Sequence, residues 1–466
     1  MRLEDILKKD YGVEAKGIGY GGICENGYLY FCLHGGERGD EDARFARSRG
    51  AVAIVSDTAR DEGIPCIVVP DVRRAFALGS ASFYGDPANE LTMIGVTGTN
   101  GKTTTTHILR SVLEADGRRT GLIGTNGARL GDKIYETSLT TPDPPALHRL
   151  LAQMLEDGAD TVVMEVSAHA LALGKVDGIR FAVGAFTNLT PDHLDFFGKM
   201  ENYKRAKMSF FTPAHVNVAV VNVDDETGME ICRNCSVPLV TYGCDNPSDV
   251  FGIDYAASVR GCSFVANIMD DIIDMRYSAP GRFNMSNVLC AAAVAKVLDA
   301  SSRAIRRGVE NVERVAGRFE ILTARDKRVV IDYAHTPDGL YRLLGAVREF
   351  TSGRVIVVFG CGGDRDKTKR ARMGEIAGEL SDLAVITSDN PRSEPPGEII
   401  AQVAGGVRGG NCMLIENRAE AIRYAIDVCR KDDTVVIAGK GHETTQEIDG
   451  VKYAFSDIDT VRSILG

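Results

Sequence analysis

Seven consecutive residues, Thr97-Gly98-Thr99-Asn100-Gly101-Lys102-Thr103, carry the strongest chemical signal in the chain. They lie between an apolar run at 91–96 and a helix-like stretch at 107–114, the order strand, loop, helix. Backbone N–H groups of a glycine-rich turn at a helix N-terminus favour negative charge. Lys102 adds a point charge and the Thr103 hydroxyl an oxygen for Mg2+, so Gly98, Thr99, Asn100, Gly101, Lys102, Thr103 and Thr104 are expected to hold a nucleoside triphosphate. The usual pattern has glycine five places before Gly101, but Val96 stands there and the early glycine is Gly98, a shortened variant. A glycine turn without phosphate is the plainer alternative, and Gly-Lys-Thr in this setting argues against it.

Further chemistry follows other apolar runs. Glu165 closes Val162-Val163-Met164 ahead of Ser167-Ala168-His169, and a carboxylate at a strand end beside a phosphate loop suits Mg2+, which takes few oxygen ligands besides phosphate and water. A solvated acid is the competing reading. His193, within Thr187-Asn188-Leu189-Thr190-Pro191-Asp192-His193-Leu194-Asp195, could bind metal or cap a turn. Tyr203-Lys204-Arg205-Ala206-Lys207 reads by periodicity as a solvated basic face. Cys232 and Cys235 form a lone C-x-x-C with no matching pair, which argues against a metal or redox role.

The elements that must position these groups are short β-branched runs separated by helical patterns. Runs at 161–166, 181–186 and 218–223 follow the phosphate-loop strand, and a second series occupies 329–333, 354–359, 383–387 and 434–438. The alternation predicts an α/β protein with parallel sheets, whose ligands gather beyond the C-terminal strand ends. The 466 residues exceed one core, and three domains are expected. These are a small N-terminal α/β domain (1–88), a central P-loop ATPase-type parallel sheet (89–314) and a C-terminal Rossmann-like domain (315–466). The net charge of −10 gives no footprint for DNA or RNA, so nucleic acid is discounted as a partner. No run has the length of a membrane span or the pattern of a leader, and the eleven scattered cysteines suit a reducing compartment, so a cytoplasmic protein without membrane insertion is expected.

In their order, over roughly residues 91–447, these motifs resemble the Mur ligases of peptidoglycan synthesis. The resemblance implies ATP on the loop, and substrate contacts at Thr140-Thr141-Pro142-Asp143 and Ser167. It also implies up to two Mg2+ ions held by Thr103, Glu165, His193 and a carbamate on Lys207, with Lys102, Glu165, His193 and Lys207 as the catalytic set. Asn284 and Asn287, after Arg282-Phe283, would approach adenine, Arg318 the phosphates, and Asp332 and His335 the ribose and phosphate region.

The C-terminal motifs Gly363-Asp364-Arg365-Asp366-Lys367, Asp389-Asn390-Pro391-Arg392 and Gly439-Lys440-Gly441-His442-Glu443 are similar to those of the branch that adds the third peptide residue. There Asp-Asn-Pro-Arg recognises meso-diaminopimelate. Arg392 and Arg365 would take its distal carboxylate and Glu443 the distal ammonium. The implied reaction joins that amino acid to the D-glutamate γ-carboxylate of UDP-N-acetylmuramoyl-L-alanyl-D-glutamate through an acyl phosphate, in a monomer. Two features depart from the pattern: the Asp-Ser-Arg element of the uridine side is missing around 19–24, and Lys175 stands where arginine is common. The alternatives are a paralogue using another acidic acceptor or L-lysine, a nucleotide-binding regulator without turnover, and an ordinary P-loop kinase.

Overall fold

Three separate parallel-rich sheets form where β-branched runs alternate with helices, in a computed structural model that describes residues 14–137, 139–324 and 326–466. Residues 1–13 of the expected N-terminal domain lie outside the described residues. The first sheet has four parallel strands in sequence order, Gly17–Gly19, Tyr28–Phe31, Ala53–Ser56 and Cys66–Val68. Its helices are Gly36–Ser48 and Val72–Phe83, the latter capped by Asp71, whose carboxylate accepts from the Arg74 N–H at 3.0 Å.

The second sheet has eleven strands. At its centre six parallel strands run in the spatial order Thr120–Gly124, Thr161–Glu165, Thr92–Thr97, Phe181–Phe186, Val216–Asn222 and Leu239–Gly243. These strands are apolar because both faces are covered, as parallel sheets require. Helix Arg282–Val297 crosses one face with Val288 through Ala295 all buried, and its alanines let it approach helix Lys102–Ala115 closely.

The parallel sheet expected here is extended at both edges by strands antiparallel to one another, although Val250–Ser258 itself joins Leu239–Gly243 in parallel. Val250–Ser258, Gly261–Ile268 and Asp271–Tyr277 form a meander on one side, and Gly127–Leu130 and Lys133–Tyr135 a hairpin on the other. The meander is half exposed, so charged residues interrupt its apolar pattern. Its second turn places Met269 and Asp270 at φ of 50° and 76°, a left-handed pair made without the glycine that usually announces such a turn.

The third sheet orders its strands as Glu320–Ala324, Lys327–Asp332, Thr434–Ala438, Val355–Phe359, Leu383–Ile386 and Cys412–Leu414, with only the first antiparallel. The chain-order jump at Thr434–Ala438 leaves a crevice at the C-terminal strand ends, where Asp332, Gly360, Asp389 and Gly439 emerge. Among the described residues no helix is long and apolar enough to cross a membrane, and all eleven cysteines are free.

Helix Pro144–Glu156 packs against the first domain's helix Val72–Phe83 and turns Leu147, His148, Leu151 and Met154 inward. His148 is fully buried with no partner for either ring nitrogen among the described residues, and burial pushes its pKa down to about 4. The unfolded chain therefore binds a proton that the folded chain refuses. Stability from this site is intact above pH about 6.5 and falls as pH drops toward the folded value. His148→Leu is expected to raise the thermal midpoint near neutral pH, by an equivalent of about 1 kcal/mol, and by more near pH 5.5. Thermal scans at both pH values check this; a lower midpoint at both would contradict it.

Candidate active site

The phosphate loop is fixed from its far side by the exit of the neighbouring strand. Thr99 N–H donates to the Asn188 carbonyl at 2.8 Å, Asn100 N–H to Asn188 Oδ1 at 2.9 Å, and the Thr187 hydroxyl to the Asn100 carbonyl at 2.6 Å. Gly98, at φ 149°, leaves no room for a side chain, because an added Cβ would run into the Thr187 hydroxyl. Gly101 precedes helix Lys102–Ala115 in the left-handed conformation, with Asn287 where its Cβ would be.

Lys102 Nζ folds back onto the carbonyls of Gly98 and Thr99 at 2.9 and 2.8 Å. Lys207 Nζ donates to the same Gly98 carbonyl at 2.7 Å. The reading of 203–207 as a solvated basic face is thereby corrected: on helix Met200–Met208, Tyr203 and Lys207 are each 1 % exposed, turned under the loop, while Glu201 and Arg205 face outward. Burial lowers the pKa of Lys207 well below the ordinary lysine range, and the ammonium of Lys102 pushes it further down. Burial also lowers Lys102, against the opposing pull of Glu165 and Asp192.

These groups line a cleft of about 380 Å³ that includes Thr99 to Thr104, Thr140, Glu165, Ser167, His193, Asn287, Arg318, Asp332 and His335. Glu165 is buried, its two oxygens accepting from Thr125 N–H at 2.9 Å and the Thr125 hydroxyl at 3.0 Å. Arg318 stacks 4.4 Å from the Tyr333 ring centre and donates to the Thr103 hydroxyl at 3.2 Å. Asp332 accepts from the N–H groups of Phe319 and Ala334, both at 2.8 Å. His335 Nδ1 lies 2.9 Å from the Tyr333 carbonyl, which can only accept, so Nδ1 carries the hydrogen.

A second cleft of about 140 Å³ opens beside the first, lined by Arg365, Lys369, Asp389, Asn390, Arg392, Gly439 and Glu443 among others. Asp192, His193, Tyr333 and His335 line both. Burial alone would raise the Asp192 carboxyl, but His335, His193 and Lys369 around it hold it well below the carboxylate range. His193 is pushed down to about 4 by burial, against the pull of Asp192. Arg365 meets Asp195 of the central domain at 3.2 Å, and Asn390 Nδ2 donates to Glu443 at 3.0 Å. Pro391 stands behind the lining, its carbonyl packed on Gly363.

Several expected residues lie in the walls around the clefts. Asn284 is buried behind the first cleft, donating to the Pro280 carbonyl at 2.7 Å, while Asn287 reaches the lining. Thr141 donates to the Glu165 carbonyl at 2.9 Å and accepts from Ser167 N–H at 3.0 Å, fixing both groups. Lys175 pairs with Asp143 at 2.7 Å, and Tyr20 of the first domain donates to the same carboxylate at 3.4 Å. The stretch at 19–24, without Asp-Ser-Arg, is a tight turn closed by Tyr20 and Ile23. Sequence reasoning missed Lys440, which is fully buried and donates to Asn390 Oδ1 at 3.1 Å and Glu443 at 2.8 Å. Lys440 stood within the motif at 439–443, but a lysine between two glycines gives no sign of burial. Asp192 was visible within its motif, but its place between two clefts depends on the packing of two domains.

A phosphate loop in a doubly covered parallel sheet, opening into a second cleft of mixed charge, defines an enzyme that uses a nucleotide on a second charged molecule. The chain belongs to the Mur ligase family: residues 96–295 match the Mur ligase middle domain and 317–441 the "Mur ligase, glutamate ligase domain". It is 43% identical over 441 residues to the UDP-N-acetylmuramoyl-L-alanyl-D-glutamate–2,6-diaminopimelate ligase of Halalkalibacterium halodurans, covering 93% of this chain and 90% of that one. With the ligase of the same name from Caldanaerobacter subterraneus it is 41% identical over 482 residues, covering 100% and 99%. A solved structure of a ligase with this name superposes with a TM-score of 0.72 at 30% identity, covering 100% of this chain and 98% of that one.

Gly98→Ala tests the loop geometry. The new methyl must displace Thr187 and Asn188, and nucleotide affinity measured by calorimetry is expected to fall by about tenfold or more. Affinity equal to that of the unaltered chain would contradict the close approach.

Proposed function

We propose that this chain is an ATP-dependent ligase that joins meso-2,6-diaminopimelate to the γ-carboxylate of D-glutamate in UDP-N-acetylmuramoyl-L-alanyl-D-glutamate. The observation that carries the reading is the pair of clefts that share Asp192, His193, Tyr333 and His335. A carboxylate activated on the phosphate side can there meet an amine held on the other. In outline, an acceptor carboxylate oxygen attacks the terminal phosphorus of ATP and ADP departs. The amine of the second substrate then attacks the acyl carbon and phosphate leaves. Lys102 neutralises charge that accumulates on the phosphates, and the loop N–H groups orient them. Arg318, already at Thr103, closes the cleft from the C-terminal domain.

Two groups implied by the family suit the residues present. Thr103 and Glu165 both line the first cleft, and they are oxygen donors of the kind Mg2+ takes beside phosphate and water. Thr103, Glu165 and His193 would hold it, and it would supply charge neutralisation at the phosphates. Burial beside Lys102 favours the neutral amine of Lys207, the form that could take up CO2, and the resulting carbamate would put an anion next to Lys102. Domain roles follow: residues 1–88 for the uridine nucleotide, 89–314 for ATP, and 315–466 for the amino acid. Selectivity falls to Arg392, Arg365 and Glu443, since the distal end of meso-diaminopimelate carries both charges and that of L-lysine only the ammonium. The departures at 19–24 and Lys175 lie on the side of the uridine substrate, and Asp143 there binds both Tyr20 and Lys175.

The test measures phosphate release and amide product with ATP, Mg2+ and the UDP-dipeptide, offering meso-diaminopimelate, L-lysine or L-ornithine. Turnover is expected with meso-diaminopimelate, and kcat/KM for L-lysine lower by roughly 10²-fold or more. Equal use of L-lysine, or no product from protein that binds ATP, would contradict the reading. Lys207→Ala is expected to lower kcat by about 10²-fold or more while binding of a non-hydrolysable ATP analogue changes little. Unchanged turnover would remove Lys207 from the mechanism.

A further inference from the structure

The amino-acid cleft is lined by Asp389, Asn390 and Arg392, yet what holds this run in place is a separate strand that lines neither cleft. Thr445–Ile448 pairs with Val451–Ala454 as a two-stranded hairpin, closed at its base where Phe455 N–H donates to the Thr444 carbonyl at 3.0 Å. Every residue of Val451–Ala454 is exposed. A lone hairpin is marginal in water. This one gains its second contact from the cleft-lining loop, through a parallel bridge between Arg392 and Ile448.

The stitching is continuous. Gln446 Nε2 donates to the Asp389 carbonyl at 2.6 Å and to the Ser388 hydroxyl at 3.2 Å. Glu447 N–H donates to Asn390 Oδ1 at 3.0 Å. That oxygen also takes the Lys440 ammonium, so the Asn390 amide is locked with its NH2 toward Glu443. Arg392 N–H donates to the Glu447 carbonyl at 3.1 Å, and Asp449 N–H returns to the Arg392 carbonyl at 2.8 Å. Arg392 thus has both backbone polar groups on this hairpin while sitting at φ 51°, a conformation non-glycine residues hold only when their surroundings impose it. Its side chain is aimed by the same strand: Nε lies 3.6 Å from the Glu447 carboxylate, and Nη1 donates to the Gly363 carbonyl at 2.7 Å.

We infer that Thr445–Ile448 sets amino-acid selectivity, with Gln446 and Glu447 as positioning residues that hold Asn390 and Arg392 in the geometry needed for a ligand bearing both a carboxylate and an ammonium. The inference rests on the proposed use of this cleft for a diamino diacid. It also links ligand to hairpin: a molecule that engages Arg392 and Glu443 stabilises the loop, and through it the strand on which the loop depends.

The experiment uses the full chain. Gln446→Leu removes two donors at similar size, and Glu447→Gln removes the charge facing Arg392. Each is expected to raise KM for meso-diaminopimelate about tenfold, leave KM for ATP within about twofold, and lower the ratio of kcat/KM for meso-diaminopimelate over L-lysine about tenfold. Glu447→Asp, which keeps the charge, is expected to restore part of that ratio. In the unaltered chain, hydrogen exchange across 446–449 should slow with meso-diaminopimelate and not with L-lysine. An unchanged selectivity ratio, a uniform loss for all three substrates, or exchange indifferent to the amino acid would overturn the inference while leaving the ligase reading intact. Failure of the unaltered chain to use meso-diaminopimelate would overturn both.

Discussion

Two lysines share one carbonyl oxygen, and much of the site follows from that. Lys102 and Lys207 both donate to Gly98, at 2.9 and 2.7 Å. A carbonyl has two lone pairs, so the hydrogen bonds are satisfied, but two ammonium charges cannot sit together out of water. Lys102 lines the cleft, where Glu165 and Asp192 oppose the lowering that burial imposes on it. Lys207, enclosed by the loop and 4.8 Å from the Tyr203 ring centre, is lowered well below the ordinary lysine range by burial, with the Lys102 charge adding to the effect. The result is a buried lysine under the loop whose surroundings favour its neutral form. On the proposed reading its carbamate converts a repulsive pair into an attractive one, in an enclosure where electrostatic interactions are strong.

The rest of the architecture delivers partners to that point. Parallel pairing of Thr92–Thr97 with Phe181–Phe186 and Thr161–Glu165 places Thr187 and Glu165 on either side of the loop. The C-terminal domain then approaches through Arg318 on Thr103, Asp338 on Asn100 at 3.2 Å, and Arg365 on Asp195. Beneath the second cleft lie three buried cations, each tied to carboxylates. Arg370 holds Glu394, Arg418 holds Asp457, and Lys440 holds Glu443. Removing one partner of such a pair leaves an uncompensated charge, so these pairs fix the shape of the cleft more than they add stability.

The central phosphate loop and the strands around it were legible because their signals are local: a glycine spacing, a lysine, and apolar runs of strand length. The order of the third sheet was not, since Thr434–Ala438 inserts between strands that precede it by a hundred residues or so. The antiparallel meander escaped notice because one face is open and its turn at Met269 and Asp270 lacks glycine. Lys207 shows the limit of periodicity: Lys204 and Arg205 beside it are surface cations, and only the packing of helix Met200–Met208 under the loop separates it from them. The resemblance to the Mur ligases singled that lysine out where residue patterning could not. Gln446 and Glu447 had no signal at all, for a positioning residue is defined by what it touches.

The most direct test of the lysine pair is carbon-13 NMR of the full chain equilibrated with labelled bicarbonate. A carbamate carbonyl resonance is expected in protein that turns over substrate, and it should be absent from Lys207→Met. Active protein without that resonance, or the same resonance in Lys207→Met, would contradict the proposal that Lys207 carries the carbamate.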